Sequence, residues 1–570
     1  MQIENKPLIG QILVKENIVS ADNLEKGLYL QKNTGDFICA TLVKLGVSDK
    51  EKTFLALSRQ LTIPYANLAN NSVNPKALEK VAVNIASHYR IMPVEIRDDT
   101  LYVAMADPLD TCLQDDLRLL INAEIRPLLS MEEDIFEAIR KYYGVGAETI
   151  EKIITNGLAA KEHNSENKKI EDTSLASEDA SIIKFVNQIL QEAVHERATD
   201  IHFEPFQDEL RIRFRIDGIL YEINVPDSIK HFHSTIVSRI KIMAQMNIAE
   251  HRLPQDGRIK IKAEGEELDL RVSVLPTSFG EAVHIRRLSS RFFLELEKLG
   301  LAEGNLKLIE MVIQKPHGVI FVTGPTGSGK STTLYAALSR INSKAIKIIN
   351  IEDPIEYQLH GVNQLQVNPQ IGFTFATALR HMLRHDPDVM MVGEVRDYET
   401  AEITIRAALT GHLVFSTLHT NDAAGAVTRL LDMGIEPFLV SSSLECLVAQ
   451  RLVRVICPKC KEEISSAKKQ EFIRQTKGIK MDLADTPLYE GRGCKDCRFS
   501  GYRGRTGIHE ILMVNETIRE MIIARASAQA IKQRAMSDGM RTLHYDGMQK
   551  VLAGITTFSE VIRVTQEDSE

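Results

Sequence analysis

A glycine-rich run ending in Lys-Ser-Thr carries the clearest chemical signal in the sequence. It consists of Gly324, Pro325, Thr326, Gly327, Ser328, Gly329, Lys330, Ser331 and Thr332. The apolar run 318–323 precedes it and a helical pattern follows it, the strand–loop–helix order of a phosphate-binding loop. Glycines let backbone N–H groups surround phosphate oxygens, Lys330 would neutralise the β and γ phosphates, and Ser331 would offer its hydroxyl to Mg²⁺. The sequence therefore predicts a nucleoside triphosphate site.

An acidic cluster follows a second apolar run, residues 348–351. It includes Glu352, Asp353 and Glu356, and so dense a set of carboxylates needs a cation nearby. A carboxylate beside the γ-phosphate can orient and polarise the attacking water. One glutamate of this cluster is therefore a candidate for water activation. A solvated turn is the alternative explanation.

Two more polar side chains follow apolar runs in the same part of the chain. The run 389–392 ends at Glu394, whose carboxylate would hold Mg²⁺ through water. The run 412–417 leads to His419, which would lie at the same carboxyl edge of a parallel sheet and sense the γ-phosphate. Taken alone, Glu394 is equally well an ordinary surface acid, and a single histidine is more often structural.

Four of the seven cysteines form two close pairs. They are Cys457, Cys460, Cys494 and Cys497. Two such pairs supply a closed tetrahedral thiolate shell for structural Zn²⁺, with no position left for water. Residues 461–493 exceed the usual spacing of about 15–20 and must form a small element of their own. Unligated thiols and a redox dithiol are the alternatives. The solitary Cys39, Cys112 and Cys446 are expected to be small buried apolar residues.

Length and composition limit the class of protein. At about 150 residues per domain, 570 residues predict three or four domains. Charged residues make up 26% and hydrophobic ones 44%, the balance of a soluble globular protein. No apolar stretch reaches the ~20 residues of a membrane span and the amino terminus lacks a signal pattern, so we expect a cytoplasmic protein. A net charge of -8 gives no general attraction for nucleic acid.

The elements that position these residues fall into consecutive segments. Residues 1–150 alternate helices with short strands, including a helix at 21–31 and a strand at 101–104. Within 151–180, residues 158–177 are too polar to bury a core and are expected to form a linker. From Ser181 to residue 298 a helix leads into strands at 210–216 and 268–274, an α+β pattern. Residues 299–570 alternate short apolar runs with helices, which predicts an α/β domain with a largely parallel sheet.

Four motifs in order resemble the secretion ATPase superfamily of type II secretion and type IV pilus motors. They are GPTGSGKS at 324–331, IEDPIE at 351–356, DPDVMMVGEVRD at 386–397 and TGHLVFSTLHT at 410–420. The resemblance covers the chain from about residue 181 to the carboxyl terminus, and type II secretion protein E is the most similar branch. It implies a RecA-like ATPase domain that uses ATP and Mg²⁺.

The resemblance also implies roles for single residues. Glu356 corresponds to the catalytic glutamate, Glu394 to the Walker B glutamate and His419 to the His-box residue near the γ-phosphate, while Glu352 becomes secondary. The 181–298 domain becomes PAS-like. Its segments RLPQDGRIKI, with Arg258 after a tight turn, and DLRVSVLPTSFGEAVHIRRL, with Arg271 on a strand, resemble those that carry the family's arginine fingers. Without the family, both are simply exposed strand arginines.

Residues 6–140 resemble the amino-terminal domain of these ATPases, one version of which binds cyclic di-GMP through a repeated Arg-Leu-Gly motif. The first copy here reads Leu8, Ile9, Gly10, with leucine in place of arginine. The second reads Ile38, Cys39, with cysteine in place of glycine. Losing a cation and a glycine weakens guanine and phosphate contacts. We therefore expect a protein-docking domain.

The function implied by the resemblance is the cytoplasmic motor of a type II secretion system, a homohexamer that drives pseudopilus assembly. Its amino-terminal domain would recruit it to inner-membrane platform proteins, joined to the motor by a loose tether. The pilus-extension ATPase is the alternative. A nucleic-acid translocase is disfavoured by the acidic charge balance, and a regulatory scaffold without turnover by Glu356 beside a complete phosphate site.

Overall fold

The computed structural model describes residues 9–34, 37–68, 72–151, 172–263, 265–288, 295–475 and 486–565. The chain divides into two units, Met1–Arg287 and Leu288–Glu570. Leu8 of the first Arg-Leu-Gly-like copy and residues 158–171 of the expected linker lie outside the described residues. Among those described, none of the helices combines the length and the apolar character that a membrane crossing requires.

The first unit begins with helices that are fixed by local capping. Ser20 Oγ accepts a hydrogen bond from the N–H of Asn23, 3.3 Å away, and Asp49 Oδ1 accepts from Lys52 N at 2.9 Å, so both helices start where a short polar side chain can satisfy a free N–H. The described helices of this unit are α1 (Ile9–Lys15), α2 (Ala21–Thr34), α3 (Ile38–Lys44), α4 (Lys50–Leu61), α5 (Pro75–Lys80), α6 (Val83–His88), α7 (Thr111–Ile121), α8 (Glu132–Tyr143), α9 (Asp172–His195) and α10 (His233–Met243).

Two sheets organise the first unit. A three-stranded sheet has the order β1-β2-β3, and a six-stranded sheet has the order β6-β5-β4-β9-β8-β7. Strand β5 alternates buried and half-buried residues, which is the pattern of a sheet with one covered face. The strands are β1 (Ile91–Arg97), β2 (Thr100–Met105), β3 (Glu124–Leu129), β4 (Asp200–Pro205), β5 (Leu210–Ile216), β6 (Ile219–Glu222), β7 (Gln255–Ala263), β8 (Glu266–Thr277) and β9 (Gly280–Leu288).

Two described features restrict the expected loose tether. Helix α9 starts at Asp172, within the segment 151–180 that was assigned to a linker. In addition, the chain after α8 packs on the following domain: Ile150 belongs to the same buried cluster as Phe185, and Val145 N donates to Asn224 O at 2.9 Å. These contacts are long-range, so local composition does not reveal them. They join the two domains of the first unit directly.

Two further expectations about the first unit need correction. Cys112 is exposed rather than buried, because α7 turns Gln114 and Leu117 inwards instead. The chain bends at Arg252 and Leu253, further from Arg258 than expected, because strand β7 already begins at Gln255. Gly257 lets this strand lie against the end of α10, since a Cβ there would come within 2.4 Å of Ala244 O.

The second unit is built on a seven-stranded sheet with the order β12-β11-β13-β14-β10-β15-β18. All neighbouring pairs are parallel except β15 with β18. Strands β10, β11, β13 and β14 are buried at every position, which explains why their sequences are mostly apolar. The strands are β10 (Gly318–Thr323), β11 (Ile348–Glu352), β12 (Val362–Gln366), β13 (Val389–Val392), β14 (Leu413–Leu418), β15 (Leu444–Ile456), β16 (Lys461–Glu463), β17 (Tyr489–Gly491) and β18 (Tyr502–Met513).

Helices cover this sheet and complete the α/β arrangement expected for residues 299–570. Asp422 caps α15 by accepting from Gly425 N at 2.8 Å, and Asp397 caps α14 through Thr400 N at the same distance. The described helices are α11 (Glu303–Val312), α12 (Lys330–Ile341), α13 (Phe375–Met382), α14 (Tyr398–Leu409), α15 (Ala423–Asp432), α16 (Pro437–Ser443), α17 (Ser466–Gln475), α18 (Glu516–Ile523), α19 (Ala528–Ser537), α20 (Leu543–Leu552) and α21 (Phe558–Val564).

Candidate active site

One edge of the large sheet collects the polar residues singled out in the second unit. Strands β11, β13, β14 and β10 are consecutive neighbours and all parallel, so their carboxyl ends lie at the same edge. The acidic cluster begins at the last residue of β11, Glu394 follows β13, His419 follows β14 and Gly324 follows β10. This is the edge at which parallel α/β sheets bind ligands.

The phosphate loop has the backbone that its glycines predict. Gly327 and Gly329 adopt positive φ angles of 78° and 89°, which side chains rarely permit. Helix α12 starts at Lys330, so free N–H groups of its first turn face the loop. Lys330 Nζ donates to Gly324 O at 2.8 Å and to Pro325 O at 3.1 Å. The amino group is therefore held over the loop that would cradle phosphates.

Burial lowers the pKa of Lys330 to about 8, although the nearby carboxylate of Glu394 acts in the opposite direction. Glu394 in turn contacts two cationic or titratable partners. His419 Nε2 lies 3.3 Å from one of its carboxylate oxygens and Arg396 Nη2 lies 2.7 Å from the other. Glu394 and His419 thus meet as the parallel order predicts, and Lys330 lies within electrostatic reach of them.

The acidic cluster separates into a buried and a more accessible glutamate. Glu352 is only 4% exposed, and its carboxylate accepts hydrogen bonds from the hydroxyl of Tyr335 and from Asn350 Nδ2 at 2.8 Å. Glu356 is half-buried, and its backbone N–H donates to the same Tyr335 hydroxyl at 3.3 Å. Because Tyr335 belongs to α12, the helix that begins in the phosphate loop also anchors this cluster. Burial and Glu352 raise the pKa of Tyr335.

The sequence analysis did not identify a further set of polar residues that form hydrogen bonds around the phosphate loop. Thr333 Oγ1 donates to Gln450 Oε1 at 2.6 Å, and Arg451 Nη2 donates to Asn421 O at 2.9 Å. The Thr323 and Thr420 hydroxyls lie 2.7 Å apart. A signal for two of these residues exists in the sequence: the polar pair Gln-Arg interrupts the otherwise apolar run LVAQRLV of strand β15.

The two candidate arginine fingers lie in the first unit. Arg258 on β7 and Arg271 on β8 are direct partners in the antiparallel register. Directly opposite residues of an antiparallel pair point to the same face of the sheet. The hairpin therefore presents both guanidinium groups on one face, an arrangement that two separate segments of sequence do not disclose.

The four paired cysteines converge in the second unit. Their sulfur atoms all lie within 4.8 Å of one another, with Cys457 Sγ 3.8 Å from Cys494 Sγ and Cys460 Sγ 3.7 Å from Cys497 Sγ. A tetrahedral site with Zn–S bonds of about 2.3 Å requires sulfur atoms about 3.8 Å apart. Backbone N–H groups of Gly493 and Cys494 also point at two of the sulfurs. The donor set and its spacing fit a zinc ion.

Comparison with known proteins agrees with this geometry. Residues 175–563 match the family described as Type II/IV secretion system protein, and residues 61–149 match the MshEN domain. The chain belongs to the Type II/IV secretion system protein family. It is therefore an ATPase, and the family implies ATP and Mg²⁺ at the phosphate loop.

Relatives of this secretion ATPase come from both branches named by the family. The type IV pilus assembly ATPase PilB of Myxococcus xanthus is 44% identical over 98% of this chain and 99% of its own length. The type II secretion system protein E of Dickeya dadantii is 53% identical over 69% of this chain and 77% of its own length. The crystal structure of the Legionella pneumophila ATPase DotB superposes with a TM-score of 0.50 at 20% identity, covering 67% of this chain and 95% of that one. That likeness shows the fold.

Proposed function

We propose that this ATPase is the motor of a type II secretion system and drives pseudopilus assembly for protein export. The ATPase part of the proposal is carried by the shared carboxyl edge of β10, β11, β13 and β14, where the phosphate loop, two acidic groups and a histidine lie together. The type II branch is supported by the 53% identity of the Dickeya dadantii protein E. Such an edge binds a nucleotide and holds hydrolytic groups beside its terminal phosphate.

Each polar group at the edge has a distinct chemical task in this proposal. Lys330 and the loop N–H groups hold the β and γ phosphates, and the Ser331 hydroxyl binds Mg²⁺. Glu356 orients and deprotonates the attacking water, since it is the more accessible glutamate of its cluster. Glu394 holds Mg²⁺ through water, and His419, in contact with Glu394, reports the state of the γ-phosphate.

The two arginines of the first unit are the arginine fingers of this proposal. Arg258 and Arg271, side by side on one hairpin, stabilise the charge that spreads over the transferred phosphoryl group. A closed homohexamer gives each phosphate loop the same complement of neighbours, because a heterologous contact that closes makes a ring.

A second candidate, the motor of pilus extension, is favoured by one specific observation. Among relatives that match 98% of the chain, the PilB relative is 44% identical and a type II secretion system protein E from Xanthomonas campestris is 40% identical. The Dickeya protein E is 53% identical but covers 69% of the chain. Both functions use the same hydrolytic residues and differ in the membrane partner.

The amino-terminal domain supplies that partner specificity in our proposal. The MshEN match at 61–149 supports a recruiting domain, which docks the cytoplasmic motor on platform proteins of the inner membrane. Cyclic di-GMP is a poor ligand for it, since Cys39 replaces the glycine of the second motif and is buried in α3. Its thiol is inert, because burial raises the pKa of Cys39 to about 12.

Zn²⁺ held by the four cysteines is the structural component of the proposal. Four thiolates leave no open coordination position, so the ion would join the strands around 457–497 rather than take part in chemistry.

Phosphate release from the purified full-length chain with Mg-ATP tests the motor function, with Glu356→Gln as the inactive reference. Steady turnover above that reference is expected, without stimulation by DNA; turnover that depends on DNA would favour a translocase. Capture of solubilised platform proteins by the chain then separates the two secretion branches. Retention of the type II platform protein supports the proposal, and retention of the pilus platform protein alone supports the second candidate.

A further inference from the structure

Strand β15 reaches further than the strand that carries the phosphate loop. In the parallel register Thr323, the last residue of β10, pairs with Ala449, and β15 continues with Gln450 and Arg451 beneath the loop. A Cβ on Gly324 would lie 2.6 Å from Gln450 O and 3.1 Å from Arg451 Nη1. Gly324 is therefore required where the loop passes over this dipeptide.

The guanidinium of Arg451 spans three strands of the sheet. It is only 9% exposed; Nη1 donates to Gln450 O of its own strand at 3.2 Å, and Nη2 donates to Asn421 O at 2.9 Å. Asn421 follows strand β14, and β10 lies between β14 and β15 in the sheet. The planar guanidinium thus passes over the carboxyl end of β10, where the phosphate loop begins. A guanidinium with several N–H groups can bridge two such acceptors better than a single ammonium group can.

The segment that Arg451 holds is the loop 419–423, which starts with His419. Its other anchors are separate: Thr420 N donates to Thr323 Oγ1 at 2.9 Å, and Ala423 N donates to the buried Glu510 at 2.9 Å. Because these two bonds remain when Arg451 is replaced, the loop should stay folded. Without Arg451, however, the distance between this loop and Gly324 would be less tightly fixed.

Electrostatics support the same connection. Asp422 and Glu510 both stabilise the charged form of Arg451, although burial lowers the pKa of its guanidinium. The positive charge also acts on Lys330, whose pKa it helps to lower. Arg451 therefore lies within electrostatic reach of the phosphate loop.

We propose that Arg451 is a positioning residue for ATP hydrolysis: by bridging Asn421 and the floor of the phosphate loop, it sets the distance between Gly324 and His419. This inference builds on the proposed ATPase site. Its effect should fall on the chemical step, because displacement of about 1 Å in a catalytic group can cost roughly 100-fold in rate. ATP affinity should change little, since Lys330 and the loop N–H groups remain.

The test compares Arg451→Gln with Arg454→Gln in the full-length chain. Arg454 lies on the same strand, is partly buried and pairs with Glu560, away from the phosphate loop. We expect kcat of Arg451→Gln to fall by about 10- to 100-fold, with the Kd for a non-hydrolysable ATP analogue within about three-fold of wild type, since the phosphate contacts are retained. Arg454→Gln should lower the melting temperature at least as much and keep kcat within about two-fold.

Arg451→Lys keeps the buried charge and provides a second test in case Arg451→Gln fails to fold. It can replace only part of the guanidinium, so kcat should lie between wild type and Arg451→Gln. The inference is overturned if Arg451→Gln or Arg451→Lys retains wild-type kcat, if only the Kd changes, or if Arg454→Gln loses turnover equally. Wild-type phosphate release in the same assay tests the ATPase itself, so failure of the proposed function is seen separately.

Discussion

The phosphate-loop edge and the four-cysteine cluster differ in how far their reactive side chains are exposed to solvent. At the edge, His419 remains 45% exposed, and Lys330 is held by carbonyls of its own loop. In the cluster, all four sulfurs face one another and three of the cysteines are buried. An accessible edge can exchange a substrate, whereas a closed shell can only hold an ion. Substitutions at the edge should therefore change turnover, and substitutions in the cluster should change stability.

The largest expected effect is on turnover at the edge. Glu356→Gln keeps the shape of the side chain and removes the base, so kcat should fall by about 100-fold or more while ATP binding persists. Phosphate release and equilibrium binding measure the two quantities. Glu352→Gln is the matched control: its buried carboxylate is bonded to Tyr335 and Asn350, so it should mainly lower the melting temperature. Equal turnover for Glu356→Gln and wild type would remove the assignment.

A second substitution separates binding from chemistry at the same edge. Lys330→Ala removes a charge-assisted contact to phosphate and should weaken ATP affinity by roughly 10- to 100-fold. Calorimetry or a fluorescent ATP analogue gives the Kd. Lys344→Ala, an exposed lysine beyond the end of α12, is the control and should bind as wild type does. Unchanged affinity in Lys330→Ala would mean that this loop is not the phosphate site.

The pH dependence of binding tests the environment of Lys330. Its pKa of about 8 means that it loses its charge as the pH rises through 8, so phosphate binding weakens above that value. Between pH 7 and pH 9 the Kd for ATP should rise by about ten-fold, provided the bound phosphates hold the lysine charged. Lys330→Arg, which stays charged throughout, should give a flatter profile. An equal rise in both proteins would point to another group.

The smallest effect on turnover belongs to the cysteine cluster. Cys494→Ser should reduce the zinc content from about one ion per chain and lower the melting temperature by several degrees, because metal binding contributes directly to folding. Phosphate release should change by only about two- to three-fold, since the ion has no catalytic position. Cys112→Ser, at an exposed position, serves as the control. Elemental analysis of protein purified without chelators would contradict this assignment by finding no metal.

The strand ends show why so much of the edge was predictable. A strand buried on both faces is mostly apolar, so the apolar runs that end before Gly324, Glu394 and His419 can be recognised in the sequence. Parallel pairing brings their carboxyl ends together. The order of the motifs along the chain was therefore sufficient to predict which residues share this edge. The sequence did not distinguish Glu352 from Glu356, because their difference in burial and bonding involves Tyr335, which lies on helix α12.

Long-range contacts determined two features of the fold that local composition does not reveal. Local composition predicts a loose tether after the first domain, whereas Ile150, which precedes the polar segment, packs in the same buried cluster as Phe185 of the following domain. Cys112 was expected in a core by residue type alone, but the face that α7 buries is set by the sheet it covers.

The sequence by itself determined which residue types this protein has for chemistry: a phosphate loop, acidic and histidine side chains after apolar runs, and four cysteines in a spacing that fits zinc, since each depends on residue types at short spacing. The tertiary structure alone decided which carboxylate is buried, that Arg258 and Arg271 share one face, and that Arg451 lies under the loop. These features join residues from separate strands and helices. The spacing of residues along the chain does not predict which strands become neighbours or how far one strand extends past the next.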